Sequence, residues 1–504
     1  MHQFNQSIRD QSIHLEEDKG LYLFSRVDAC TELLSCIMLK QSNLVASKRL
    51  NLLKNTMVTV CRFVERDHDV QAQKFNQRFG LRLLSNLLID LNRYCPVTNS
   101  NSSPPPSDPN TASATTNDNQ QINEESEANL KLLLSFGEAI YELRPIRLPG
   151  FSFAWLELVS HRMFMPKLLF SSTNTDRRGW SQFHSLLIAL FQFLEPYLRL
   201  AELNNPVRLL YRSTLKILLV LLHDFSEFLC DYHFSLCDVI PPSCIQMRNL
   251  ILSAFPRHMR LPDPFTPHLK VDLLPEINTS PKIFSDYAAS LISQNHQDGI
   301  KDHIDQYLKN RTPVLFLNEL KNNLLNHDYK PSSQSSANDH VHMSCTRYNV
   351  TLINSLVLYV GVQAINQLQV PGGRAPIVNS PAMDIFQKLV MDLDPEGRYV
   401  FLNAIANQLR YPNNHTHYFS CVLLCLFAEV KLEHNEEEIK EQITRVLLDR
   451  LIVNRPHPWG LLITFIELVK NPRYNFWDLT SIHCSPEISR LFENIVKSTH
   501  IHAQ

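Results

Sequence analysis

Apolar residues recur at three- and four-residue steps along most of the chain. Phe183, Leu186, Leu187, Leu190, Phe191, Leu194 and Leu198 fall on one face of a helix with 3.6 residues per turn. Ile439, Ile443, Val446, Leu447 and Leu451 make a second such face. Asn435 stands before it with Glu438 three residues on, the spacing of a capping box, and Glu436 and Glu437 suit the positive end of the helix. Pro458 and Pro472 bracket a third helix over 460–470. The segments near 21–45, 50–65, 72–94, 130–143, 152–170, 207–234, 349–370, 383–391, 399–410, 416–431 and 486–498 read as helices too. Sustained period-two alternation is scarce, so the pattern predicts an all-α fold.

Two polar stretches interrupt the helices. Residues 98–128 are Ser, Asn, Thr and Pro with a single large apolar residue, Ile122, and are expected to form a disordered linker. That would separate an N-terminal helical block, 1–97, from a main helical body, 129–504. A shorter polar run, 330–342, is expected to be a mobile loop within that body. Residues 256–275 combine five prolines with Met259, Leu261, Phe265, Leu269, Val271 and Leu273. Proline fixes extended backbone and the apolar side chains need cover, which predicts an ordered strap lying on helices. No fixed-period repeat is evident. Residues 217–222 are apolar but far too few to span a bilayer, which takes about 20. Residues 348–373 carry no Asp, Glu, Lys or Arg, but hold Asn354, Gln363, Asn366, Gln367 and Gln369, side chains that would need partners in lipid. Both read as core helices, and no membrane association is expected.

Composition narrows the function. Only 11 glycines occur in 504 residues, no two of them two or five positions apart. Dinucleotide-binding and P-loop motifs are therefore absent, as are the nucleophile elbow and the zinc-protease helix motif. A net charge of −2 lacks the basic excess of a dedicated nucleic-acid binder. Eleven cysteines, behind an N-terminal stretch with no apolar secretory core, read as reduced and mostly buried thiols.

Three clusters bear on metal chemistry. Cys230, His233, Cys237 and Cys244 offer zinc donors, and the first three share a helical face. Their neighbours Phe228, Leu229, Phe234 and Leu236 favour a core role instead. Asp392, Asp394, Glu396 and Gly397 match the start of a calcium loop, but Asn403 stands where the bidentate acid belongs, so a helix-connecting turn is the better reading. His415 and His417 have no acidic or thiol partner at a convincing spacing, and Cys421 and Cys425 look like core. No metal, cofactor or catalytic residue is assigned. Near the C-terminus Trp459, Arg473, Tyr474, Phe476 and Trp477 form an aromatic-rich, basic group of the kind found at interface hot spots. They are the candidate partner-binding residues; anchoring of a loop to the core is the alternative.

Four runs together resemble one family: 148–162 (Leu-Pro-Gly-Phe-Ser-Phe-Ala-Trp onward), 223–230 continuing to 241–249, 254–264, and 455–460 with 471–477. They are similar to the C-terminal domain of the large scaffold subunit, Not-one, of the CCR–NOT mRNA deadenylase complex, most closely in its plant wording. The resemblance is firm over about 130–500 and looser before it. It implies a HEAT-like stack of helical hairpins without catalysis. That stack would dock the Not-box subunit heterodimer, and in some relatives translational repressor peptides. It also implies indirect association with mRNA, and roles in deadenylation, mRNA decay, translational repression and transcriptional regulation. The location implied is the cytoplasm, including P-bodies, and the nucleus. The family scaffold is much longer, and this sequence corresponds to its C-terminal part. A fragment, a partial gene model and a truncated paralogue all remain open, and recruitment of deadenylases through upstream modules is in doubt. The competing readings are a Cys/His metal-dependent hydrolase and an unrelated helical-repeat adaptor.

Overall fold

The computed structural model describes residues 17–38, 46–95, 115–170, 177–201, 203–266, 269–292, 299–326, 346–368, 377–429 and 436–480. These residues form α-helices and short 3₁₀ turns, and the β-structure among them is one isolated bridge between Leu325 and Tyr348. The chain divides into two compact units, Met1–Ile217 and Leu218–Gln504.

In the first unit α1 (Glu17–Met38) packs on α3 (Gln77–Tyr94), and α2 (Ala46–Gln71) on α4 (Thr115–Glu142). The α1–α3 pair is clipped at the surface: Arg82 donates twice to Asp28, at 2.7 Å each, and Asn86 adds a third bond at 2.8 Å. Asn76 caps α3 by accepting from the Arg78 amide. Leu53, Met57, Val60 and Val64 of α2 and Leu132, Phe136 and Ile140 of α4 are all buried, and the two helices pack on each other. Trp155 of α5 (Ser152–Val159) is fully buried, with its indole N–H on the Ile140 carbonyl at 2.8 Å. The short α6 (Met165–Phe170) and α7 (Arg178–Arg199) complete this side. The α7 face is the one the periodicity predicts: Phe183, Leu186, Leu187, Leu190, Phe191, Leu194 and Leu198 are all buried.

This unit revises the expected domain limits. Residues 1–97 do not form a separate block, because α2 lies along α4 and α3 along α5. The apolar stripes of α2 and α3 need more cover than a 97-residue block supplies. The division falls instead within α8 (Asn205–Asp224). Of the expected linker, 98–114 lies outside the described residues, and 115–128 is helical backbone at the start of α4. Gln, Glu and Ala between 120 and 128 are good helix formers, and acids near a helix start favour it. The expected loop at 330–342 lies outside the described residues.

The second unit holds α9 (Ser226–Val239), α10 (Ile245–Leu252), α11 (Ile300–Asn310), α12 (Leu315–Asn323), α13 (Val350–Leu368), α14 (Pro381–Asp392), α15 (Pro395–Ala406), α16 (Asn414–Glu429), α17 (Glu436–Leu451) and α18 (Trp459–Lys470). Helix α13 is central and packs on α15 and α16. Among the described residues it is the one helix long and apolar enough to cross a membrane, yet Ile353, Leu356, Val357, Leu358 and Val360 are buried by its neighbours. Its apolar surface is already covered by protein. Gly361 lets α13 approach α16 closely; a Cβ there would lie 2.2 Å from the Phe419 ring.

The proline-rich strap leaves α10 and runs toward α11 as irregular chain broken by short 3₁₀ turns at Val271–Leu273, Pro275–Asn278 and Ala289–Ile292, with 267–268 outside the described residues. It is fixed at several points. Pro262 accepts the Trp459 indole N–H at 2.8 Å. Asp272 meets His417 Nε2 at 2.7 Å. The Thr279 carbonyl accepts the Asn414 amide at 3.0 Å. Ile277 is buried, and Phe284 stacks on Tyr232. Met259, Leu261, Phe265 and Val271 are half-buried, as expected of a segment lying on helices.

Candidate partner-docking surface

The candidate residues separate into two groups. Arg473, Tyr474, Phe476 and Trp477 follow the C-terminal end of α18, while Trp459 begins it, about 17 Å away at 1.5 Å per residue. Asn475 takes a left-handed conformation, φ 44°, which turns the chain between Tyr474 and Phe476. Phe476, 1% exposed, drops into a ring cluster with Phe427 at 6.5 Å and Phe465 at 6.1 Å. Tyr474 meets Phe427 edge-on at 6.2 Å and stays half-exposed. Trp477 is 38% exposed, packs edge-on against Phe476, and gives its N–H to the Val469 carbonyl at 3.2 Å. Arg473 is exposed and reaches Glu429 at 3.8 Å. Phe476 is therefore an anchor, with Arg473, Tyr474 and Trp477 presented on the surface above it. Trp459, 4% exposed, is a strap anchor and not a surface ring.

Beside Trp459 the backbones crowd. A Cβ on Gly460 would come within 2.4 Å of Thr416 and 2.9 Å of the Arg410 carbonyl, so α18 starts hard against the turn between α15 and α16. That turn delivers Arg410 into the interior, where sequence patterning places no functional group. Three arginines are buried there, each held by neutral acceptors. Arg410 donates to the Cys230 carbonyl at 3.0 Å, and its Nη1 lies 2.9 and 3.0 Å from the two ring nitrogens of His233. Arg248 donates to the Ile240 carbonyl at 2.6 Å and to Asn407 at 3.4 Å. Arg450, 1% exposed, donates to Asn403 Oδ1 at 2.9 Å, Asn407 Oδ1 at 2.8 Å and the Asn403 carbonyl at 3.2 Å. Asn249 closes the ring by donating to the Arg450 carbonyl at 2.7 Å. A sequence signal existed for Arg450: it sits three residues past Leu447, on the apolar face of α17, where a charged residue must find buried partners.

This polar interior engages the cysteine–histidine cluster. A guanidinium only donates hydrogen bonds, so the ring nitrogen that Arg410 addresses is an unprotonated acceptor. Nδ1 is committed to the Cys230 carbonyl at 2.9 Å, which leaves Nε2 accepting and the imidazole neutral. Burial first, and Arg410 second, hold its pKa well below the ordinary histidine value. The nitrogen that would bind zinc thus faces a cation. Burial pushes the Cys230 thiol up to about 12 and raises Cys237 also. Cys244 sits at the α10 N-terminus, half-buried. Among the described residues no three His, Cys, Asp or Glu side chains converge as a metal site. The acids of the calcium-like run are engaged otherwise. Asp394 caps α15 through the Gly397 amide and pairs with Arg347, Asp392 pairs with Lys388, and Glu396 accepts the Arg347 amide. Cys421 and Cys425 are half-buried on α16, and burial pushes the Cys421 thiol up to about 12.

His415 is buried beside the same arginine, and burial takes its pKa from 6.5 to about 4. The unfolded chain then binds the proton first. The neutral-state contribution is complete above pH 6.5 and is lost as pH falls toward 4, about 3 kcal/mol for a full shift of that size. We expect acid unfolding to begin in this window, and His415→Gln to flatten the pH dependence of chemical-denaturation stability there. A profile unchanged by the substitution would remove His415 from the account.

The described residues form packed helices without strands, with a neutral-capped arginine interior in the second unit and an aromatic surface group, which makes an all-α helical scaffold fold. The model of the family described as CCR4-Not complex component, Not1, matches residues 114–496. The chain belongs to the Not1 family. It is 41% identical over 480 residues to the CCR4-NOT transcription complex subunit let-711 of Caenorhabditis elegans, covering 94% of this chain and 16% of that protein. A solved NOT1 superfamily homology domain from Chaetomium thermophilum superposes with a TM-score of 0.79 at 27% identity, covering 99% of this chain and 87% of that one. A Not1 C-terminal domain solved in complex with Not4 superposes with a TM-score of 0.73 at 28% identity, covering 93% and 86%. The all-α stack expected of the family is what the chain forms.

Proposed function

We propose that this chain is a non-enzymatic docking scaffold of the CCR4-NOT assembly that captures the Not-box subunit heterodimer. The observation that carries this reading is the likeness, over 93% of the chain, to a Not1 C-terminal domain solved with a protein partner, Not4. The physical character of the stack supports it. Rigid packed helices hold exposed side chains in fixed register, so a partner loses little by ordering them. Through that capture the chain supports mRNA deadenylation and decay, translational repression and transcriptional regulation, with its contact to mRNA indirect. Translational repressor peptides are a second class of occupant, and cytoplasm and nucleus are the expected compartments. The chain spans 16% of the length of its nematode relative.

The test is co-purification of the chain with the Not-box heterodimer across a salt series, with a poly(A) degradation assay on the chain alone. Binding through apolar anchors should weaken only modestly with salt, whereas a phosphate-binding surface loses affinity steeply. Absence of binding, or poly(A) shortening that tracks with the purified chain, would refute the assignment.

A further inference from the structure

We propose that the first part of the strap forms, with Arg455, a cationic docking site for an acidic, extended segment of a protein partner. Arg257 and His258 occupy the tip of a turn closed by the Met259 amide on the Pro256 carbonyl at 3.0 Å, and Arg260 comes directly after it. All three side chains are exposed. Two residues further on, the Pro262 carbonyl takes the Trp459 indole N–H at 2.8 Å, so the strap is pinned to the start of α18. Arg455, also exposed, lies four residues before Trp459 in the irregular run that leads into that helix. The Asn454 carbonyl is in turn held by Gln246 of α10 at 3.0 Å, next to the helix from which the strap departs. The cationic residues are thus placed on two irregular segments tied together from both sides.

These charges are uncompensated. Among the described residues none of Arg257, Arg260 and Arg455 forms an ion pair or a side-chain hydrogen bond. Residues 254–266 contain one acid, Asp263, and its carboxylate is engaged by the Phe265 amide at 3.0 Å. Helix α10 and residues 450–460 contain no acid at all. Among other exposed arginines, Arg82 pairs with Asp28, Arg347 with Asp394 and Arg473 with Glu429, while Arg62, Arg66, Arg162 and Arg212 form no ion pair among the described residues; the strap site differs from these in having its cations on two segments tied to each other. Three unpaired guanidiniums beside a fixed irregular backbone favour planar bidentate recognition of carboxylates.

The choice of a protein segment over RNA rests on the rings. Sequence-tolerant single-strand binding needs exposed aromatic faces on which bases stack. The Trp459 ring here is buried and its N–H is spent on the strap. The cations are flanked instead by half-buried Met259, Leu261 and Phe265, which suit apolar side chains interspersed with Asp and Glu.

This site goes beyond the scaffold reading and depends on it only in taking a protein as occupant. The probe is a fluorescein-labelled dodecapeptide of alternating Glu-Asp pairs and leucines, titrated against the full chain by anisotropy, with a dodecamer of oligo(A) RNA as the second arm. We expect saturable peptide binding that weakens with salt. We also expect Arg257→Glu/Arg260→Glu, and separately Arg455→Glu, to weaken it at least tenfold at unchanged melting temperature. Not-box heterodimer capture is measured on the same variants, so loss of that capture in the unmodified chain reports on the scaffold reading alone. Peptide affinity unchanged by both charge reversals, no saturable peptide binding, or oligo(A) bound more tightly than the peptide, would each overturn the proposal.

Discussion

Replacing Arg450 by alanine is expected to cost the second unit about 3 kcal/mol, from the cavity left by a side chain that is 1% exposed and from the acceptor left without a donor. The native side chain supplies donors to Asn403 and Asn407, and Asn407 is shared with Arg248. Without it, Asn403 Oδ1 loses its donor, at a cost of about 1–3 kcal/mol, while Asn407 Oδ1 keeps only the 3.4 Å bond from Arg248 and the Asn403 carbonyl keeps the Asn407 amide. A drop of roughly 10 °C in melting temperature is expected from the entropy of unfolding of a unit this large. Arg450→Met separates the contributions, because it restores volume without donors. If the alanine variant loses less than about 1 kcal/mol by chemical denaturation, the buried acceptors have found other partners and the network is not the keystone of this unit.

The second large effect lies at the C-terminal aromatic group, and there two neighbouring rings should behave oppositely. Phe476→Ala removes a ring that is 1% exposed and wedged between Phe427 and Phe465, so it should cost about 3–5 kcal/mol of stability. Trp477→Ala removes a ring that is 38% exposed, and should leave the melting temperature nearly unchanged while weakening capture of the Not-box heterodimer by about 2 kcal/mol. Each variant is measured by denaturation and by binding calorimetry. Trp477→Ala with native affinity would take this surface out of the interface.

The chain states its local structure openly and conceals its long-range pairings. The apolar face of α7, the limits of α18 between Pro458 and Pro472, and the turn at Asp394 are all readable, because period and capping act within a few residues. The strap is readable too, since prolines beside uncovered apolar residues leave few alternatives. The division of the molecule is not. A polar stretch after residue 97 looks like a boundary, yet the stripes on α2 and α3 are covered by helices from beyond it. The role of Trp459 depends on Pro262, 197 positions earlier, and that of Arg410 on His233, 177 positions earlier. No periodicity carries such information. Grouping Trp459 with Trp477 by sequence proximity joins two rings that a straight helix holds apart.

The arginine interior also bears on biosynthesis. Arg248 and Asn249 emerge from the ribosome about 150 to 200 residues before Asn407 and Arg450, with which they pair. Helices α9 and α10 therefore leave the exit tunnel carrying polar groups and apolar faces whose complements have not been made. The second unit cannot close progressively in the order of its synthesis; it must wait for α17. During that interval the nascent chain exposes both kinds of surface at once, the condition under which incompletely packed intermediates associate with one another.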